Sequence, residues 1–164
     1  MDEMKEFVGL SALLTGFSTS VLAPSLDPVD IKSLYLKTWL DNVARESGDA
    51  ALTSRILTMF SDLKSTGKDD QAIGEQLLSE QNPPAFVLAC QQLIYLWYMG
   101  AWPQVSAQPG TDTGGFTSFT TLSSDSYTSG LVWKVMQAHP MGDSNYRYGY
   151  WAEQPPALTD FTGN

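Results

Sequence analysis

Three features of the sequence could take part in catalysis, and each lacks the partners that its chemistry requires. His139 is the single histidine, and a histidine before a proline at a helix end is more often a structural hydrogen-bonding group than a general base. Cys90, the single cysteine, lies in the most apolar segment, where a thiol is protonated and unreactive. Asp112-Thr113-Gly114 matches the triplet of aspartic proteases, but that chemistry needs two aspartates sharing one proton. We therefore predict no catalytic residue.

Motifs for bound cofactors and metals are also missing from the sequence. There is neither a Gly-x-Gly-x-x-Gly fingerprint nor a P-loop, so the usual cradle for a nucleotide phosphate is lacking. One histidine and one cysteine are too few for a zinc site, and no carboxylate spacing fits an EF-hand. We therefore expect no metal or cofactor in this chain and no enzyme activity of its own. A small hydrolase that uses His139 is the weakest alternative.

The charge distribution argues against two kinds of partner. The chain of 164 residues has a net charge of −9, and beyond Lys68 its only basic residues are Lys134 and Arg147. An acidic surface repels phosphate, which excludes nucleic acid and an anionic membrane surface as expected ligands. No run of about 18 apolar residues is present, so direct membrane insertion is not expected.

The first half of the sequence predicts helices, because its apolar residues recur at intervals of three and four. A proline directly after an aspartate is a typical helix start, and a glycine is a typical stop. The predicted helices are a stripe from Phe7 to Leu14 before Gly16, a helix from Asp27-Pro28 to Gly48, a stripe from Leu52 to Leu63 closed by Gly67, and a short amphipathic helix over 70–78.

The most apolar helix is predicted to follow Asn82-Pro83-Pro84 and to end at Gly100. Its residues 85–99 are apolar almost all round, which is typical of a helix at the centre of a bundle or under a partner. Residues 101–125 are rich in Gly, Ser, Thr and Pro and predict a long loop, with a short strand over 117–122. A loop of this length usually has a task of its own.

A last helix is predicted from about Asp125 to Ala138, ending before His139-Pro140, and the tail 141–164 is predicted to be extended and aromatic. The predicted fold class is therefore mainly α. We expect a single domain over 1–164, built as a helical bundle with a long Gly/Ser/Thr-rich loop and an extended aromatic C-terminal tail.

Aromatic residues near the loop and in the tail are the candidates for binding. Tyr and Trp are preferred anchors of protein interfaces, and an extended tail offers little core of its own for large rings. The predicted partner interface consists of Trp97, Tyr98, Trp102, Tyr148, Tyr150 and Trp151. Two alternatives stay open: these rings pack in the core, which is favoured for Trp97, or Trp102, Tyr150 and Trp151 stack on sugars in a carbohydrate-binding module.

Together, four stretches of the chain resemble a known family. They are Phe7-x-x-Leu10-Ser11-x-x-Leu14-Thr15-Gly16; Leu96-Trp97-Tyr98-Met99-Gly100; Ser126-Tyr127 with Leu131-Val132-Trp133; and His139-Pro140-Met141-Gly142 with Gly149-Tyr150-Trp151-Ala152-Glu153-x-Pro155. In their order and spacing they are similar to the small subunit of bacterial membrane-bound, FAD-dependent sorbitol, fructose and glucose dehydrogenase complexes. The similarity extends over nearly the whole chain.

This resemblance implies a non-catalytic subunit of a periplasmic oxidoreductase complex at the inner membrane. In that family the large subunit carries FAD and, in several members, an iron–sulfur cluster, and a cytochrome c subunit passes electrons to quinone. The small subunit binds and stabilises the large one, and its twin-arginine leader carries the large subunit through export. Here no paired arginines precede Phe7, and residues 1–6 are acidic where a leader is basic, so we expect this sequence to lack the leader.

Overall fold

Helices form most of the chain, as the apolar repeats predict. The structure is a computed structural model that describes residues 2–105, 116–140, 142 and 157–162. Its contacts divide the chain into two units, residues 1–94 and residues 95–164. Nothing in this division tests the predicted single domain over 1–164, which stays a prediction.

The first unit contains the helices that the repeats in the first half predict. Gly16 and Gly48 each cap the C-terminal end of one of these helices, and both have a left-handed backbone with φ of 76° and 70°. The short α2 was not predicted. The helices are α1 (Glu3–Thr15), α2 (Thr19–Leu22), α3 (Ile31–Ser47), α4 (Leu52–Ser65), α5 (Asp70–Leu77) and α6 (Pro84–Met99), the last of which extends into the second unit.

The core of the first unit lies where α1 packs against α3, α4 and α5. Phe7 of α1 and Trp39 of α3 are both fully buried, and their ring centroids are 5.8 Å apart. The indole Nε1 of Trp39 donates a hydrogen bond of 3.0 Å to the carbonyl oxygen of Ala89 in α6. The apolar stripes that predicted these helices therefore also form their common core.

The predicted start of α3 at Asp27-Pro28 is wrong, because the helix begins at Ile31. The carboxylate of Asp27 accepts a hydrogen bond from the backbone N–H of Asp30 at 2.8 Å and another from Lys32 Nζ at 2.7 Å. Asp30 itself has a left-handed φ of 52°. Asp27 therefore closes a tight turn before the helix instead of capping the helix, which is the other structure that an aspartate favours.

Cys90 lies in the core, as predicted, and its thiol is fully buried. Removal from water raises the pKa of Cys90 from 9.0 to about 12. The folded chain should therefore resist alkylating and disulfide reagents at mildly alkaline pH and react with them once denatured. A folded chain that reacts as fast as a free thiol would contradict this burial.

The same pKa shift predicts a pH dependence of stability. Above about pH 9.0 the unfolded thiol loses its proton, whereas the folded thiol keeps it until about pH 12. The free energy of unfolding should therefore decrease as the pH rises through this window, and its full contribution should be present below it. Denaturant midpoints measured across the window should show this decrease, and Cys90→Ala should reduce its slope.

The second unit combines the end of α6 with a hairpin and short helices. Its elements after α6 are β1 (Ala101–Val105), β2 (Phe116–Thr121), α7 (Ser124–Thr128), α8 (Val132–Val135) and α9 (Thr159–Thr162). The strands are antiparallel, with Ala101 opposite Thr121 and Gln104 opposite Ser118, and an irregularity follows Gln104. The strand predicted over 117–122 is therefore confirmed as β2, whereas β1 was missed, since Pro103 in its centre argues against a strand.

Two predictions for the second unit need correction. The single helix predicted from Asp125 to Ala138 is wrong, because α7 and α8 are separate and the buried Gly130 lies between them. The tail predicted to be extended contains the short helix α9, whose Phe161 ring lies 5.1 Å from Lys134 Nζ. Most of the tail, residues 143–156, and residues 106–115 of the predicted loop lie outside the described residues.

Candidate functional site

The C-terminal end of α6 is held by the segment that follows the hairpin. A helix leaves its last carbonyl groups without partners inside the helix, and these must be satisfied by other donors. Here the carbonyl oxygen of Trp97 accepts a hydrogen bond of 3.0 Å from the backbone N–H of Leu131. The carbonyl oxygen of Gly100 accepts one from the backbone N–H of Leu122 at 3.4 Å. We call residues 97–100 together with residues 122–133 the α6 clasp.

Ser126 is the central polar residue of the α6 clasp. It is fully buried, and its hydroxyl oxygen lies 2.8 Å from the carbonyl oxygens of both Gly100 and Ser123, to which it can donate. The same oxygen accepts a hydrogen bond of 2.9 Å from the backbone N–H of Ser123, while the Ser123 hydroxyl accepts one of 3.0 Å from the N–H of Ser126. Ser123 and Ser126 thus form a capping box at the start of α7.

Two glycines allow the backbones of the clasp to approach each other. Gly100 has a left-handed φ of 62°, and a Cβ placed there would lie 1.9 Å from the carbonyl oxygen of Ser126. A Cβ on Gly130 would lie 2.8 Å from the carbonyl oxygen of Tyr98. No larger residue fits either position without moving the backbone, so both glycines are required for this close contact.

Aromatic rings complete the α6 clasp. Tyr127 and Trp133 meet edge to face, with ring centroids 5.2 Å apart and an interplanar angle of 74°. The indole Nε1 of Trp133 also donates a hydrogen bond of 2.8 Å to the carbonyl oxygen of Tyr127. The turn between α7 and α8 is therefore fixed by side chains as well as by Gly130.

Replacing Ser126 tests whether the clasp depends on its hydroxyl. Ser126→Ala removes the hydrogen bond to Gly100 and one half of the capping box, and we expect it to lower the free energy of unfolding by about 1–3 kcal/mol. The exposed neighbour Ser124 is the matched control, and Ser124→Ala should change stability by less than about 0.5 kcal/mol. Equal effects of the two substitutions, measured by chemical denaturation, would contradict the role given to Ser126.

The described residues of the predicted partner interface are mostly buried. The exposed fraction is 3% for Trp97 and 4% for Trp102, and Tyr98 is half-buried, which raises the pKa of its hydroxyl by desolvation. Trp97 and Trp102 thus offer little surface to a partner, and Trp102 offers no open ring face to a sugar. The other predicted interface residues, Tyr148, Tyr150 and Trp151, lie outside the described residues. The interface as a whole stays a prediction.

Exposed apolar side chains occur at positions that the sequence analysis did not select. The exposed fraction is 58% for Phe119 in β2 and 64% for Met136 after α8. The one sequence feature that could have indicated a role for Phe119 is that it is an aromatic residue between hydroxyl residues in a predicted strand. Met136 lies within the single helix that the periodicity predicts for 125–138. Its exposure could not be predicted from that pattern, because the helix is interrupted at Gly130.

Of the remaining candidates for chemistry, the structure describes His139 but not Asp112. His139 is half-buried, and its Nδ1 lies 2.9 Å from the carbonyl oxygen of Pro140, which fits a structural histidine. Asp112 and its triplet lie outside the described residues. Across the parts of the chain that the structure describes, no three His, Cys, Asp or Glu residues are grouped so that they could hold a metal ion.

A shallow depression adjoins the α6 clasp. It has a volume of about 730 Å³ and is lined by hydroxyl groups, one carboxylate and one aromatic ring. Its lining includes Thr121, Ser123, Ser124, Asp125, Tyr127 and Thr128. Such a surface can form hydrogen bonds, and among the lining residues named here no general base is paired with a nucleophile.

No protein-family model, curated protein or solved structure matches the chain. Within the described residues, every helix is too short or too polar to cross a membrane. The function therefore has to be inferred from the chain's own residues, above all from the α6 clasp and the exposed apolar side chains near it.

Proposed function

We propose that this chain is the non-catalytic small subunit of a flavin-dependent sugar or polyol dehydrogenase complex. In this role it binds and stabilises the FAD-carrying large subunit and aids its export. The complex acts in the periplasm at the inner membrane, with electrons leaving through a cytochrome c subunit. Substrate, FAD and any iron–sulfur cluster belong to the large subunit.

The observation that carries the proposal is the composition of the α6 clasp. Two of the four stretches that resemble the family, Leu96–Gly100 and Ser126–Trp133, are the two sides of this clasp. They are joined by the hydrogen bonds from Leu131 to Trp97 and from Ser126 to Gly100. The resemblance therefore falls on residues that depend on one another in the fold, which favours a shared structure over a chance match of single residues.

The low charged fraction of the chain agrees with a role in binding a protein. Only 16% of the residues are charged, whereas ordinary domains have about 25%. The exposed side chains of Phe119 and Met136 are of types that are enriched in protein interfaces. A subunit that is permanently bound in a complex can have such side chains on its surface, because its partner covers them.

Co-expression with the FAD-carrying dehydrogenase subunit of the source organism tests the proposal. A tag on this chain should recover a yellow complex in which both chains are present in equal amounts and flavin is released on denaturation. The tag alone, expressed with the same large subunit, is the control. If the tagged chain is soluble and folded but recovers no flavoprotein, the proposal is wrong.

The rival function is an independent carbohydrate-binding module. It loses one of its three proposed stacking platforms, because the Trp102 side chain is only 4% exposed. Titration of the isolated chain with simple sugars, followed by tryptophan fluorescence, separates the two functions. The subunit proposal predicts no saturable change, whereas a carbohydrate-binding module would show saturable quenching.

A further inference from the structure

The strand β2 has a free edge in the described structure. The sheet has two strands, so β1 covers only one edge of β2. Within residues 2–105 and 116–140, no backbone hydrogen bond joins the other edge to a further segment. The side chains of residues 118–121 are all exposed. A row of backbone donors and acceptors along β2 is therefore available for pairing.

This edge lacks the features with which proteins usually prevent unwanted pairing. Edge strands are commonly protected by charged residues, especially lysine, by proline, or by a covering segment. The sequence of β2 from Phe116 to Thr121 contains neither charge nor proline nor glycine. In β1, by contrast, Ala101 and Trp102 are buried and Pro103 removes a backbone donor. The unprotected edge of the hairpin is thus that of β2, whose residues 118–121 are exposed.

The two faces of the hairpin differ in chemistry at this edge. On one face the Gln104 side chain accepts a hydrogen bond of 3.0 Å from the Ser118 hydroxyl and donates one of 3.4 Å to Thr120. On the other face the Phe119 ring lies with its centroid 6.5 Å from that of Tyr95. A strand added to β2 would therefore meet hydroxyl and amide groups on one face and an aromatic pair on the other.

An unpaired negative charge lies just beyond β2. Asp125 is exposed at the start of α7, and among the residues that the structure describes no basic side chain forms an ion pair with it. The chain beyond Lys68 holds only two basic residues. A partner with a lysine or arginine near this end of the strand would supply the missing charge.

We propose that an extended segment of the large subunit binds to the free edge of β2 and becomes the third strand of its sheet. This inference rests on the function proposed above and identifies the contact surface. The bound segment alternates apolar side chains beside Phe119 with hydroxyl or amide side chains beside Ser118 and Thr120. It carries a basic residue where it passes Asp125. Main-chain hydrogen bonds supply much of the affinity, as in other cases of strand addition.

Hydrogen exchange in the co-expressed complex tests this contact without any substitution. Amides of residues 116–121 that exchange fast in the free chain should slow by at least about tenfold in the complex, because they become hydrogen-bonded. If a complex forms and these amides exchange as in the free chain, the strand addition is wrong while the proposed function stands. If no complex forms, both are wrong.

A pair of matched substitutions gives a second test. Phe119→Lys adds a positive charge and removes the aromatic anchor, and it should weaken capture of the large subunit by at least about tenfold. Leu26→Lys makes the same change of charge at an exposed apolar site outside the strand and should weaken capture by less than about threefold. Circular dichroism confirms that both variants fold. Equal weakening, or dimerisation of the isolated chain with slowed exchange in β2, would overturn the proposal.

Discussion

Gly100→Ala is expected to be among the most damaging single substitutions in the chain. The added Cβ would lie 1.9 Å from the carbonyl oxygen of Ser126, which is backbone and cannot rotate away. The left-handed φ of 62° adds about 1–2 kcal/mol of strain for any residue other than glycine. Together these effects should lower the free energy of unfolding by about 3–5 kcal/mol, which is the upper range for single substitutions.

The chain offers a control that separates backbone strain from steric overlap at Gly100. Gly48 ends α3 with nearly the same φ, 70°, but a Cβ there would meet no atom within 4 Å. Gly48→Ala should therefore cost only the strain, about 1–2 kcal/mol. Chemical denaturation of both variants measures the difference. Equal losses would show that α6 and the segment 122–133 are not in close contact, and the α6 clasp would be wrong.

Trp39→Ala is the second substitution from which we expect a large effect. Trp39 is fully buried, packs on Phe7, and donates the hydrogen bond that ties α3 to Ala89 in α6. Its removal leaves a large cavity and should lower the free energy of unfolding by about 3–5 kcal/mol. Thermal or chemical denaturation followed by circular dichroism measures the loss.

Two further variants divide this effect into its causes. Trp39→Phe keeps most of the packing but loses the hydrogen bond to Ala89, so it should cost about 1–3 kcal/mol. Leu26→Ala removes an apolar side chain that is 86% exposed, and it should change stability by less than about 0.5 kcal/mol. If Trp39→Ala proves no more damaging than Leu26→Ala, the core described for the first unit is wrong.

Local patterns were sufficient to predict the helices of the first unit, except the short α2. In these helices the apolar residues recur on one face, and that face packs directly against the neighbouring helices. Gly16 and Gly48 end their helices through their own backbone conformation, which is a local effect. The prediction of the start of α3 was wrong for a local reason too, since an aspartate before proline favours both a helix cap and a tight turn. Here the tight turn forms, and the side chain of Lys32 donates hydrogen bonds to both Asp27 and Asp30.

The second unit was harder to predict because its structure depends on contacts between residues distant in sequence. The periodicity of residues 125–138 fits one helix. The helix is nevertheless interrupted at Gly130, and the backbone N–H of Leu131 donates to the carbonyl oxygen of Trp97 instead of to a carbonyl oxygen within the predicted helix. In the same way β1 is recognised as a strand by its pairing with β2, which lies more than ten residues away in the sequence. No pattern within 101–105 or 125–138 contains this information.

The candidate interface shows the same limit. The sequence indicates which residues are aromatic, and Trp97 and Trp102 are good anchors by type, but both are buried in the fold. The burial of Trp97 agrees with the core packing that the sequence analysis favoured for it, whereas the burial of Trp102 was not predicted. Phe119 was overlooked because one aromatic residue in a short polar strand predicts little until the strand is seen to lie at the edge of its sheet.

The stability of the large subunit with and without this chain tests the central claim most directly. The FAD-carrying subunit would be expressed alone and together with this chain, and its soluble amount, bound flavin and sugar-dependent dye reduction would be measured over time. The account predicts that, without this chain, the large subunit accumulates poorly or loses flavin and activity, and that co-expression restores all three. A large subunit that is equally abundant, flavin-loaded and active in both cases would contradict the account.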